Sequence, residues 1–461
     1  MSEDSIEAIV ERSRAAQARY EANGSQTRYD RAAQAVAWAI MEPTRNRTLA
    51  ELAVETTGLG NVPDKIIKNH RKTLGLMRDI KDAVTFGVMS DDPATGITEI
   101  ARAKGVVGAI VPSTNPAATP ANNIINALKC GNSIVVAPSP KGVASCETLI
   151  GYIHEEFAKI GEDPDLVQMV PAPGSKEKTQ ALMETCDMIV ATGSQNNVHR
   201  AQTVGTPAVA VGAGNVTVIV DETADLADAA EKIRASKCFD NATSCSSENA
   251  VVVVDAVYDA FVAAMAEAGG ALVEDEAGIV AKLWPDGHLN RSVIAQDADK
   301  MIAALDLDVP EGTDYIAVPT SGIGPDHPLS GEKLSRVLAL YRASDFDAAV
   351  QTTRDIQLHQ GAGHSVGLHS ANPDRPMVLA NAIPTSRVII NQAHTFATGG
   401  SFTNGMPFSL SMGCGTWGGN SVNENVNYRH FMQSTKIIRE IPSREPSLDD
   451  IFADYWAAAG Q

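Results

Sequence analysis

Residues 105–112 read GVVGAIVP and residues 132–140 read NSIVVAPSP. Each is a short apolar run closed by proline and small polar residues, as expected of a strand buried on both faces. Between them, TPANNIINALKCG (119–131) has the pattern of a helix that stops at Gly131. KGVASCETLIGYIHEEFAKIG (141–161) then sets Val143, Cys146, Ile150, Ile153, Phe157 and Ile160 three or four apart, one face of an amphipathic helix. DLVQMVPAP (165–173) supplies a third strand, a helix is predicted over roughly 175–185, and DMIVATGS (187–194) supplies a fourth strand. Strand and helix alternating in this way predict βαβ units and a parallel sheet. Ligands of such sheets bind at the carboxyl ends of the strands. The segments PSTNP, APSPKG, PAPGS and ATGSQNN follow those ends and are the expected lining of a nucleotide site.

Upstream, residues 1 to about 90 read as helices, with Ile9, Val10, Ala16 and Tyr20 on one face and EP and TG as stops. This predicts a helical layer rather than part of an active site. Downstream, a second α/β unit is expected over roughly 237–416, ending in the glycine-rich run TGGSFTNGMPFSLSMGCGTWGGNS. The expected units are therefore 1–236, a nucleotide-binding domain with its helical layer, completed by about 417–440; 237–416, a catalytic domain; and 441–461, a tail suited to oligomerisation.

A chain of 461 residues is longer than one core usually serves, which agrees with two domains or more. Hydrophobic residues make up 44% and charged residues 20%, the composition of an ordinary globular protein. The net charge of −19 argues against nucleic acid and anionic membrane surfaces as partners. An anionic small molecule needs only a local positive site and is not excluded. The six cysteines are scattered, without a C-x-x-C pair or metal-ligand spacing, so no metal is expected and free thiols in a reducing cytoplasm are. The N-terminus MSEDSIEAIVERSRAAQARYE is charged and amphipathic, with no apolar core of the signal-peptide kind, and no run reaches transmembrane length.

One cysteine stands apart. In FDNATSCSSENAVVV (239–253), Cys245 lies in a small, polar, turn-like run just before an apolar strand. Structural cysteines sit among hydrophobes. Cys245 is flanked by Thr243, Ser244, Ser246 and Ser247, a setting that suits a partly accessible, reactive thiol.

The segment TGSQNNVHRAQTVGTPAVAVGAGNVTVIV and its continuation through Cys245 to Val254 resembles the core of the CoA-acylating aldehyde dehydrogenases. These are a branch of the aldehyde dehydrogenase superfamily. GVVGAIVPSTNP, EKLSRVLALYRASDFDAAV, GAGHSVGLHS and GCGTWGGNSVNENVNYRH match the same branch in the same order, from about residue 5 to about 440. The resemblance implies an aldehyde dehydrogenase-like fold, with a Rossmann-like domain and an α/β catalytic domain facing each other across a cleft. It implies conversion of aldehyde, CoA and NAD(P)⁺ into acyl-CoA and NAD(P)H, and a homodimer or homotetramer.

Cys245 matches the branch's nucleophile, whose thiolate attacks the carbonyl and remains as a thioester once hydride has left. Asn115 matches its oxyanion donor, and Glu332 the carboxylate that takes the two hydroxyls of the nicotinamide ribose. Thr192, Gly193 and Ser194 match the phosphate-side turn, where Val198 stands in place of a usual second glycine, and Gly214 falls in the cofactor set. Pro138, Ser139 and Lys141 are expected at the adenine ribose, with no acidic residue beside them, which leaves both NAD and NADP open. His364, in GAGHSVGLHS, is a candidate to assist CoA or the thiohemiacetal proton. His394, Thr398 and Gly399 are expected at the substrate mouth, where backbone N–H groups of a glycine-rich run can cradle an anion. That favours a short charged aldehyde such as sulfoacetaldehyde or succinate semialdehyde.

One departure bears on the reaction. Hydrolytic members of the superfamily carry a water-activating glutamate before the Gly pair of this region. Here the stretch is AVGAGNVTVIV, with Val211 at the matching position. Without that base, water attack on the thioester should be slow, and CoA becomes the expected acyl acceptor. The rival readings are a hydrolytic aldehyde dehydrogenase that takes its base from elsewhere, and a non-catalytic nucleotide-binding protein.

Overall fold

The computed structural model describes residues 5–212 and 214–460. The chain opens with four helices: α1 (Ile6–Ala22), α2 (Gln26–Met41), α3 (Pro43–Thr57) and α4 (Val62–Ile80). Their boundaries follow from side chains that satisfy free backbone N–H groups. Ser5, Ser25 and Asn61 each accept a bond from the first turn of α1, α2 and α4, and Pro43 starts α3. The buried face of α4 departs from the usual apolar stripe: it carries Lys65, Lys68, Asn69 and Thr73 beside Leu76 and Ile80. A buried ammonium needs partners, so this face anticipates a polar site.

The helical stretch is shorter than the sequence suggested. After α4 the chain forms an antiparallel hairpin of β1 (Val88–Asp92) and β2 (Ile97–Ala103). The first domain then runs β3 (Val106–Val111), α5 (Ala118–Lys129), β4 (Ser133–Pro138), α6 (Val143–Ile160), β5 (Val167–Met169), α7 (Lys176–Thr185), β6 (Met188–Thr192), α8 (Gln195–Thr203) and β7 (Ala208–Val211). Its strands form one parallel sheet in the order β5-β4-β3-β6-β7. All six residues of β3 are buried, which explains why this strand reads as a continuous apolar run rather than an alternating one. Each such valine contributes about 1.5–3 kcal/mol by leaving water. One face of the sheet packs with Tyr20, Val36, Leu128 and Phe157, the other with Ile9, Leu182 and Val198.

The second sheet is also parallel, in the order β10-β11-β12-β9-β8-β13-β14. Its strands are β8 (Val216–Val220), β9 (Glu248–Val254), β10 (Gly270–Leu272), β11 (Tyr315–Pro319), β12 (Val337–Ala343), β13 (Val366–His369) and β14 (Val388–Ile390). Helix α9 (Leu226–Cys238) packs on it. Sheet membership therefore crosses the expected boundary at 236, because β8 pairs with β9 and β13. The apolar run VTVIV resembles a strand of either sheet, and only long-range pairing assigns it.

The return of the chain near residue 430 also differs in detail. Strand β15 (Met432–Ile438) pairs with β2, completing a small sheet β1-β2-β15 rather than adding to the nucleotide sheet. A final helix, Leu448–Ala459, buries none of its residues in this chain. Among the described residues no helix is long and apolar enough to cross a membrane.

Candidate active site

The strand order of the first sheet reverses between β3 and β6, the position where open α/β sheets leave a crevice. Pro112 to Asn115 follow β3 there, and Thr192 to Ser194 end and follow β6. The second sheet faces this crevice with the amino ends of its strands. Gly214 precedes β8, Cys245 precedes β9, Glu332 precedes β12 and His364 precedes β13. Asn115, Thr192, Gly193, Ser194, Cys245 and Glu332, widely separated in sequence, line one cleft of about 300 Å³.

The loop carrying Cys245 is strained and held from several sides. Asp240, Asn241 and Ala242 have φ of 48°, 54° and 60°, a left-handed run that costs about 1–3 kcal/mol per residue. Arg336 donates to Asn241 Oδ1 at 3.1 and 2.7 Å, while Asn241 Nδ2 donates to Asp297 at 2.9 Å. The Asp240 backbone N–H donates to Asp64 at 2.7 Å. These bonds, from α4 and from the second sheet, offset the strain and fix where the next turn emerges. Gly214 backs that turn: a Cβ there would meet the Cys245 carbonyl at 2.3 Å and the His364 ring at 3.0 Å.

Cys245 Sγ lies 3.3 Å from His364 Nε2. His364 Nδ1 is 2.8 Å from Ser365 Oγ, which is 2.9 Å from His394 Nε2. His364 is 1% exposed. Burial, reinforced by the Arg387 charge, pulls its imidazole down to about 3. Burial, with Glu332 and Cys414 nearby, pushes the Cys245 thiol up to about 12. Both groups are therefore neutral near pH 7 before substrate enters. A neutral imidazole within reach of a thiol can accept its proton as the sulfur attacks. His394 is 1% exposed and meets Ser365 instead of the cleft. Thr398 is buried, its hydroxyl bonded to the His394 carbonyl, and the Gly399 carbonyl accepts from Lys72. From that region Thr395 and Phe396 reach the cleft.

Asn115 enters the cleft from the loop after β3. Lys68 donates to its Oδ1 at 2.9 Å, and Nδ2 has no acceptor among the described residues. The amide N–H₂ is thus free to meet charge developing on a carbonyl oxygen next to Cys245.

A second cleft, of about 750 Å³, continues from the first through Pro112, Ser113, Thr192, Gly193 and Ser194. Pro138 and Ser139 line it, and the N-terminus of α8 opens onto it with Asn196 and Asn197. Lys141 does not line it; its side chain is exposed and reaches the Thr57 carbonyl at 3.5 Å. No carboxylate lines this cleft among the described residues, and Lys176 and Arg200 do. The donor set fits a pyrophosphate at the helix N-terminus and leaves room for the extra phosphate of NADP. Glu332 lines the reaction cleft with Cys245, and is the one carboxylate to do so among the described residues. Burial raises it to about 8, while Lys237 and the Gly214 N–H oppose that rise. A cofactor donating two ribose hydroxyls would satisfy it in either protonation state.

Strand β7 reads Ala-Val-Ala-Val, so no carboxylate approaches the cleft from it. Val211 itself is 2% exposed and packs in the apolar core.

The site also contains residues that sequence reasoning assigned to a structural layer. Lys68, Arg71 and Lys72 of α4 line the reaction cleft. Arg71 donates to the Phe396 carbonyl at 3.1 Å and to Ser401 at 3.3 Å, and its guanidinium lies 5.1 Å from the Phe396 ring. Lys72 donates to the carbonyls of Gly399 and Ser409. Neither cation meets a carboxylate among the described residues. Desolvation lowers Arg71, and it brings Lys72 down to about 7 with help from Arg71 and Lys68. Gly75 lets Phe408 close this region, since a Cβ there would lie 2.3 Å from the ring. The signal in the sequence was the recurrence of Lys65, Lys68 and Lys72 on one helix face, which the burial of α4 turns inward.

Two parallel sheets facing each other across a cysteine, a histidine and a nucleotide crevice define an oxidoreductase of the aldehyde dehydrogenase kind, and residues 1–278 match the aldehyde dehydrogenase family. The chain belongs to that family. It is 54% identical to the sulfoacetaldehyde dehydrogenase (acylating) of Cupriavidus necator over 99% of this chain and 94% of that one. It superposes on an acetylating aldehyde dehydrogenase from Geobacillus thermoglucosidasius with a TM-score of 0.91 at 28% identity, over 96% of this chain and 98% of that one. It superposes likewise on a propionaldehyde dehydrogenase from Rhodopseudomonas palustris with bound CoA and an acylated cysteine, with a TM-score of 0.85 at 26% identity, over 95% and 97% of the two chains. Within the family it is a CoA-acylating, NAD(P)-dependent aldehyde dehydrogenase.

Proposed function

We propose that the aldehyde is a short anionic one, with sulfoacetaldehyde the preferred substrate, and that the product is its CoA thioester. The observation that carries this reading is the pair Arg71 and Lys72, two desolvated cations in the reaction cleft without a carboxylate partner among the described residues. In a chain of net charge −19, two partly buried basic side chains lining the cleft of Cys245 favour an anionic ligand. The name of the Cupriavidus necator relative supports the sulfonate as that anion.

In this reading the sulfonate lies against Arg71, which orients the carbonyl toward Cys245. The sulfur attacks, its proton passes to His364 Nε2, and Asn115 Nδ2 meets the oxygen of the thiohemiacetal. Glu332 and the turn at Gly193 and Ser194 would hold NAD(P)⁺, which when bound would supply the hydride acceptor. The thioester on Cys245 then waits for the CoA thiol. A cytoplasmic setting is supported by the six unpaired cysteines. A homodimer or homotetramer is supported by the exposed strand β15 and the unburied final helix.

The test is substrate-specific. Arg71→Met should raise KM for sulfoacetaldehyde by roughly 10- to 100-fold, the usual worth of a hydrogen bond to a charged group. KM for propionaldehyde should stay within about twofold. An equal change for both aldehydes would contradict the assignment. A wild-type enzyme that prefers succinate semialdehyde would keep the anionic class and replace the sulfonate by a carboxylate.

A further inference from the structure

Lys68 lines the same cleft as Arg71 and Lys72, yet its environment is of another kind. It is 5% exposed, and its ammonium has three protein acceptors. These are Asn115 Oδ1 at 2.9 Å, Thr243 Oγ1 at 2.9 Å and Asp240 Oδ2. An ammonium carries three protons, so none is left for a substrate. Asp240 is 0% exposed, receives Lys65 at 3.1 Å and accepts the Thr243 hydroxyl at 2.7 Å. Burial alone would raise the Asp240 carboxyl, but Lys68 and Lys65 hold it below its ordinary value. Two ammoniums thus share one buried carboxylate, and each Lys68 proton has a protein acceptor.

Its acceptors come from two domains. Asn115 follows β3 of the first sheet, and Thr243 lies two residues before Cys245 in the loop that leads to β9. A side-chain amide has two nearly isosteric orientations, related by a flip. With Oδ1 against an ammonium one orientation is favoured, since the flipped form would set N–H₂ against Lys68. The same charge draws electron density toward Oδ1 and makes Nδ2–H a stronger donor.

We propose that Lys68 is a positioning residue that sets the orientation and donor strength of the Asn115 amide toward the thiohemiacetal oxygen. This rests on the reading of Asn115 as the oxyanion donor. With its three protons taken by protein acceptors, Lys68 acts through Asn115.

A double-mutant cycle in the full-length enzyme tests it, using Lys68→Met, Asn115→Ala and the double variant. Asn115→Ala should lower kcat by about 10²–10³-fold, the worth of one oxyanion donor. Lys68→Met should lower kcat by roughly 10-fold or more, leaving KM for aldehyde within about threefold. In the Asn115→Ala background, Lys68→Met should cost less than about threefold, because the group it orients is gone. The rate of Cys245 alkylation by iodoacetamide, which develops no oxyanion, should stay within about threefold in each folded variant. Additive losses in kcat, or an alkylation rate that falls with kcat, would overturn the proposal. An Asn115→Ala enzyme with unchanged kcat would instead remove the oxyanion reading beneath it. Should Lys68→Met not fold, Lys68→Gln keeps a donor without the charge; the same cycle then applies, with the same non-additive loss expected and additive losses again overturning the proposal.

Discussion

Cys245→Ser should lower acylating turnover and the reverse reduction of acyl-CoA by about 10⁴-fold or more, while NAD(P)H still binds. The argument is chemical. The step requires a nucleophile that adds to an aldehyde and later leaves as CoA arrives, and sulfur does both at a barrier that oxygen does not match. His364 remains 3.3 Å away in the wild-type geometry, but a serine hydroxyl is shorter in reach and far less acidic. The other thiols offer no substitute. Cys130, Cys146, Cys186, Cys238 and Cys414 all lie outside the lining of the reaction cleft, where Cys245 stands. Steady-state assays in both directions, with cofactor binding followed by fluorescence, check this. Wild-type rates in the serine enzyme would remove Cys245 from the mechanism.

His364→Ala should lower kcat by about 10²–10⁴-fold, the span of general base catalysis. The sign of its pH dependence separates this role from a packing role. In the wild type the imidazole, depressed to about 3, is already neutral across the working range and can accept a proton throughout. No rise in rate near pH 6.5 is then expected. Without the imidazole, attack depends on spontaneous ionisation of a thiol near 12. The thiolate fraction grows about tenfold per pH unit below that value, so the residual rate of the variant should climb with pH while the wild type stays flat. A uniform loss at all pH values would point to packing.

The contrast between α4 and the Cys245 loop shows what the sequence made legible. Strands β3, β4 and β6 are apolar runs between turn residues, and their alternation with helices predicted a parallel sheet and the side on which its ligand binds. Cys245 was legible because a thiol among serines contradicts burial in a core. The cations of α4 were not, because a lysine on an amphipathic helix reads as solvated unless its face is known to be buried. Lys68 is held inward by Asp240, a partner 172 residues away. The small sheet that β2 forms with β15 was missed for the same reason: the two strands come from opposite ends of the chain. That VTVIV joins the second sheet was not legible, because the run carries no mark of which sheet it joins. His394 and Thr398, expected at the substrate mouth, turn inward to Ser365 and to backbone, while Thr395 and Phe396 face the cleft.

The central claim is that the acyl group leaves Cys245 to CoA and not to water. No carboxylate approaches from β7, and Glu332 is the one that lines the reaction cleft among the described residues. The direct measurement is the time course of NAD(P)H formation from sulfoacetaldehyde with CoA omitted. The account predicts a burst of about one equivalent per active site that then stops, with the acyl mass retained on the Cys245 peptide and turnover restored on adding CoA. Steady NAD(P)H production with an equal yield of free sulfoacetate would contradict it.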